Sequence, residues 1–166
     1  MRFLSIALCL AAAVHANAQQ PVAMNDAERA LAATLSGAEL VGHFTVDAAE
    51  PGAEPSLRSE RYSLGEVRKL ENGQWMLQTR IRYGENDVTI PITLPIDWVA
   101  AEGANPTPVI VVDNVMFPGL GTYSARVMFH QGSYVGRWSG ASHGGCLFGR
   151  VVEATPASES AGKTAR

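Results

Sequence analysis

From Asp87 to Trp98 the sequence alternates polar and apolar residues without a break. Val88, Ile90, Ile92, Leu94, Ile96 and Trp98 fall on one face, and Asp87, Thr89, Pro91, Thr93, Pro95 and Asp97 on the other. A period of two does not fit a helix and reads as a strand with one buried face. Proline has no amide hydrogen to give a ladder. Pro91 and Pro95 therefore confine this strand to an edge, a bulge or a break. The expectation is a bend or interruption near Pro95.

The same period governs most of the chain. Residues 38–46 form a strand with Leu40, Phe44 and Val46 on one side. Residues 58–70 form a weaker one, interrupted by Gly65. Asn72-Gly73 is a hairpin signal leading into 74–83, where Trp75, Leu77, Ile81 and Tyr83 alternate with polar residues. Further strands are expected over 107–115, 121–130, 133–140 and 145–153, with a tight turn around Gln131-Gly132 between the second and third of these. One helix precedes them. Asn25 caps it, Glu28 completes a capping box, and Gly37 stops it. Its buried face is expected at Ala27, Ala30, Leu31, Thr34 and Leu35.

Eight strand candidates joined mostly by short loops describe an all-β antiparallel meander preceded by one short helix. Such a sheet closes into a barrel or folds into two packed layers. Closure removes exposed edges, and the glycines at 136, 140, 144, 145 and 149 help strands turn barrel corners. The small barrel is favoured over the sandwich.

The N-terminus reads as an export signal. Met1-Arg2 precedes an apolar stretch, Leu4 to Val14, and Ala16-Asn17-Ala18 is a small-residue cleavage signature. The expected organisation is a signal peptide over 1–18, a segment with the short helix over 19–37, a β domain over 38–153 and a disordered tail over 154–166. Cleavage would remove Arg2 and no acid, leaving the chain one charge more negative than the −3 of the full sequence. It would also leave Cys146 as the sole thiol, so no internal disulfide is expected. The expected location is periplasmic or extracellular. No apolar run of the length needed to span a bilayer follows the signal, and the acidic balance excludes a general nucleic-acid binder.

The C-terminal third carries the most distinctive text. It runs Pro118-Gly119-Leu120-Gly121-Thr122-Tyr123, then Gly132-Ser133-Tyr134-Val135-Gly136-Arg137-Trp138, then Gly144-Gly145-Cys146-Leu147-Phe148-Gly149. This text resembles a group of small exported bacterial proteins of planctomycete type with a G-x-Y-x-G-x-W…G-G-x-x-F-G ending. The likeness covers roughly residues 87–152, implies a secreted domain and assigns no activity. The Gly-x-Tyr-x-Gly-x-Trp portion also resembles, loosely, calycin and lipocalin barrels. Those usually carry Gly-x-Trp near the start, where this chain has only Val41-Gly42-His43-Phe44, so no binding residue is carried over.

Chemistry-bearing residues are sparse. His143 and Cys146 have a spacing that a turn can bring onto one zinc or copper ion, and they form the metal candidate. Cys146 among Gly, Leu and Phe reads more simply as a small buried hydrophobe. A Cys–His nucleophile would need further orienting and oxyanion groups that the sequence does not supply. Asp97 and Asp113 do not form a glycosidase pattern. Arg80, Arg82, Arg126 and Arg137 could gather around an anion, although cross-strand ion pairs are the simpler reading. Trp75, Trp98, Tyr123, Tyr134 and Trp138 are read first as core. In a small barrel the same rings line an apolar cavity, which makes them the ligand-binding candidates.

These readings converge on an exported, non-catalytic β-barrel module that binds a small apolar ligand and requires no cofactor. The alternatives are an envelope-associated protein-interaction domain and, behind it, a His/Cys metal-binding protein or small enzyme.

Overall fold

The computed structural model describes residues 22–50, 52–101 and 104–153. The signal expected over 1–18 and the tail expected over 154–166 lie outside them. Among the described residues one helix, α1 (Asp26–Leu35), precedes nine strands: β1 (Ala38–Val46), β2 (Ser56–Lys69), β3 (Trp75–Tyr83), β4 (Asn86–Leu94), β5 (Ile96–Ala101), β6 (Ala104–Phe117), β7 (Gly121–His130), β8 (Ser133–Ser139) and β9 (Gly144–Glu153). All the pairings are antiparallel, in the order β4-β3-β2-β1-β9-β8-β7-β6-β5. The sheet is curled into a half-barrel.

The ninth strand arises at Pro95. The expected strand over 87–98 is split there into β4, which pairs with β3, and β5, which pairs with β6. The Pro95 carbonyl accepts the Val111 N–H at 3.1 Å. The two edges of the sheet are therefore continuous in the chain, although they do not pair with each other. Both prolines lie in or beside edge strands, where a missing donor costs no ladder bond. Two other irregularities mark the long strands. β2 and β3 shift register between Leu64 and Val67, around Gly65, and β6 shifts against β7 between Val112 and Val115. At the second, Asn114 takes a φ of 49° and its N–H is held by Ser124 Oγ at 3.0 Å.

The helix forms as its caps dictate. Asn25 Oδ1 accepts the Glu28 N–H, and a Glu28 carboxylate oxygen accepts the Asn25 N–H, both at 2.9 Å. Its buried face is Glu28, Leu31 and Leu35. Ala30 and Thr34, expected there from spacing, are exposed, because the helix docks along a narrower stripe. It packs against β1, β2 and β6 and so bridges opposite walls of the half-barrel. Lys69 Nζ donates to Glu28 Oε1 at 2.7 Å, Gly37 N–H donates to the Gly65 carbonyl at 3.0 Å, and Val67 N–H donates to Ser36 Oγ at 3.1 Å. Leu31 and Leu35 join Val67, Trp75, Leu94 and Ile96 in the core and fill this end of the sheet. Among the described residues no helix is long and apolar enough to cross a membrane.

Candidate functional site

Beyond the plug made by α1 lies a cavity of about 300 Å³. Its wall is mostly apolar and includes Leu40, Phe44, Leu77, Ile92, Val112 and Val127. Phe44, Phe117, Tyr123, Trp138 and His143 line it from the strand ends opposite the helix. They pack edge-on or tilted. Trp138 lies 5.9 Å from Phe44, 6.0 Å from Tyr123 and 5.3 Å from His143, measured between ring centroids. Trp138 Nε1–H donates to the Thr45 carbonyl at 3.2 Å and Tyr123 O–H to the Leu120 carbonyl at 2.9 Å. Their polar atoms are thus held by backbone, and their apolar faces are left for the lumen.

A polar station interrupts this wall. Tyr134, Gly149, Gly42 and Glu60 stand opposite one another in a single register row across β8, β9, β1 and β2. Three strand spacings, about 14 Å along the sheet, separate Tyr134 from Glu60. The Tyr134 phenol crosses the gap over the two bare glycines. A Cβ on Gly42 would sit 2.5 Å from Tyr134 Oη, and one on Gly149 would sit 2.6 Å from it. Tyr134 O–H donates to Glu60 Oε1 at 2.9 Å and Tyr62 O–H to Glu60 Oε2 at 2.6 Å.

Glu60 is only 4% exposed and has no ion-pair partner among the described residues. Burial pushes its carboxyl above the ordinary range, and the two tyrosine hydroxyls and the charge of His43 offset this only in part. Burial and the neighbouring carboxylate push the Tyr134 phenol well up, so it stays a donor. Thr79, also 4% exposed, lines the same cavity, and its Oγ1 has no hydrogen-bond partner among the described residues. Arg58 lines the cavity two residues before Glu60 and is exposed.

Three of the five aromatic candidates, Tyr123, Tyr134 and Trp138, line the cavity. Trp75 does not. It is 1% exposed and belongs to the plugged end. Trp98, on β5, packs against the core without lining the cavity.

His143 and Cys146 are not brought together. His143 lines the lumen, while Cys146 is exposed on the outer face of β9, where Arg137 Nη1 lies 3.8 Å from its sulfur. The expectation of a core thiol is thereby corrected. Leu147, not Cys146, faces inward, because Gly145 and Gly149 share its face opposite Trp138 and Tyr134. Among the described residues no group of three or more His, Cys, Asp or Glu could hold a metal.

The four arginines do not converge on an anion either. Arg80 binds Asp87 at 2.7 Å, Arg82 binds Glu39 at 3.2 Å, Arg137 pairs with Asp47, and Arg126 donates to the Val112 carbonyl at 2.8 Å.

Glu60, Thr79 and Arg58 are the site residues that sequence reasoning missed. The only signal was an unusual one: the β2 segment alternates poorly because its inward face carries charge. No family model matches this sequence, and no curated protein or solved structure matches it.

Proposed function

We propose that the protein is an exported, non-catalytic binding module whose half-barrel lumen holds a small, mostly apolar ligand. The observation that carries this reading is the cavity of about 300 Å³, walled by aliphatic and aromatic side chains and closed at one end by α1. Preformed apolar concavities with a few convergent polar groups are the usual form of small-molecule sites. Export rests on the N-terminal signal pattern, and the secreted product is expected to begin at Gln19.

The test is native mass spectrometry of protein purified from its own host, together with titration by an environment-sensitive apolar dye. A retained small molecule, or saturable dye binding abolished by Ala125→Trp in the cavity wall, supports the reading. A lumen that takes no apolar probe rejects it. Intact mass with residues 1–18 retained after secretion rejects export.

One observation favours a second reading, an envelope-associated interaction domain. Met128, Val135 and Phe148 are exposed and stand opposite one another across β7, β8 and β9 on the outer face. Exposed apolar rows of this kind mark contact surfaces. Photocrosslinking from position 135 in intact cells, with a single discrete adduct lost in Phe148→Glu, would support it.

A further inference from the structure

The lumen carries an uncompensated acid. Glu60 lines the lumen within its otherwise apolar wall, with its two oxygens bonded to Tyr134 and Tyr62, and no cation pairs with it among the described residues. An ionised carboxylate has about four lone-pair sites, of which two are used. Buried charge without a counterion is costly, and natural interiors normally pair it. A buried anion with spare acceptor sites, facing an apolar cavity, calls for a polar group that comes from outside the chain. Arg58 does not fill that role. It is exposed to water, which screens its charge, and its guanidinium makes no bond to Glu60.

We infer that the lumen binds an apolar molecule bearing a protonated amine, with the ammonium donating to Glu60 and the apolar body lying among Leu40, Leu77, Ile92 and Val127. This inference rests on the lumen being a ligand site, and it adds the chemical class. Tyr134 and Tyr62 act as positioning residues that fix the carboxylate plane, so the acid is preorganised rather than recruited from solvent. The burial that raises the Glu60 carboxyl is the same burial that strengthens a pair once an ammonium enters. Amines are thereby favoured over alcohols of equal size, and carboxylates are disfavoured by like charge.

The experiment compares octylamine, octanol and octanoate, three molecules with one apolar body and different polar ends. Each is titrated into the purified protein at neutral pH by calorimetry or by intrinsic tryptophan fluorescence. The expected order is amine, then alcohol, then carboxylate, with the amine favoured over the carboxylate by at least ~10-fold, equivalent to about 1.4 kcal/mol. Glu60→Gln should weaken octylamine by ~10-fold and leave octanol within about twofold.

Binding of all three with equal affinity, or preference for octanoate, overturns the amine inference and leaves the lumen reading standing. Binding of none overturns both. Loss of all three probes to the same degree in Glu60→Gln would assign Glu60 a structural role and also overturn the inference. If that variant does not fold, the wild-type ranking of the three probes decides.

Discussion

Tyr134 and Glu60 meet 2.9 Å apart, oxygen to oxygen, although 74 residues separate them in the chain. The contact exists because Gly42 and Gly149 lie between them in one register row and carry no side chain. Large and small residues alternate across β8 and β9 to make this possible. Tyr134 faces Gly149, Gly136 faces Leu147, and Trp138 faces Gly145.

Gly149→Ala should therefore be among the most damaging small substitutions in the domain. The added Cβ would stand 2.4 Å from the Val41 carbonyl oxygen and 2.6 Å from Tyr134 Oη. One of these is backbone and cannot swing away. Overpacking of this kind costs about 1–3 kcal/mol or more. A urea melt checks it, and a midpoint unchanged from wild type would mean that Tyr134 does not lie across the glycines.

Tyr134→Phe should cost about 1–3 kcal/mol, because it removes a buried donor and leaves a carboxylate oxygen short of a partner. If Glu60 is changed to Gln in the same chain, most of that loss should vanish, since the charge that needed the donor is gone. The double-mutant cycle by chemical denaturation is the measurement, and strict additivity of the two changes would show that the residues are uncoupled.

The pH dependence of Glu60→Gln follows from the direction of its shift. Burial raises the folded carboxyl above its ordinary value of 4.5, so the folded chain holds this proton more tightly than the unfolded one. The resulting stabilisation is fully present below pH 4.5 and is lost as pH rises through the folded value. Relative to wild type, Glu60→Gln should therefore gain stability as pH is raised from acid to neutral. Paired denaturation curves at several pH values test the sign, and a variant that loses stability relative to wild type as pH rises would contradict it.

Much of the fold was legible because period-two patterning and turn residues act locally. The strands β7, β8 and β9 and the turn at Gln131-Gly132 fall where the sequence places them, and both turn residues adopt positive φ, 48° and 71°. Pro95 announced its own break. The site was less legible for a physical reason. Its polar half lies on β2, where Arg58 and Glu60 face inward beside Tyr62, so that segment lacks the apolar face that identifies a strand's buried side. What brings Glu60 to Tyr134 is register between distant strands, which no local pattern encodes.

Lys69 should hold α1 to the sheet. Burial tends to raise the Glu28 carboxyl, but the Lys69 ammonium at 2.7 Å and the Asn25 N–H outweigh it and hold the group below its ordinary range. Both side chains are mostly enclosed, at 11% and 20% exposure. Lys69→Met should cost about 2 kcal/mol by leaving the carboxylate unpaired, and adding Glu28→Gln should recover most of it. A depressed carboxyl stabilises above its unfolded value and loses that contribution as pH falls. The penalty of Lys69→Met should therefore fade below about pH 4.5. A penalty that persists in acid would assign it to lost packing of the lysine stem.

Cys146 separates an exposed thiol from a core or metal-bound one. Its neighbours Gly145 and Leu147 are buried, whereas Cys146 and Phe148 are exposed on the outer face, with the Cys146 N–H held by Thr45 Oγ1 at 2.9 Å. Native protein should therefore react completely with a small thiol reagent at the rate of an accessible cysteine. Neither a chelator nor His143→Ala should alter that rate, because the imidazole packs against Trp138 on the lumen side at 5.3 Å. Cys146→Ser should change stability by less than ~0.5 kcal/mol, as surface substitutions do. The two measurements are complementary. Slow labelling with a costly serine would return the thiol to the core. Labelling accelerated by chelator would instead mean that a metal had been shielding the sulfur.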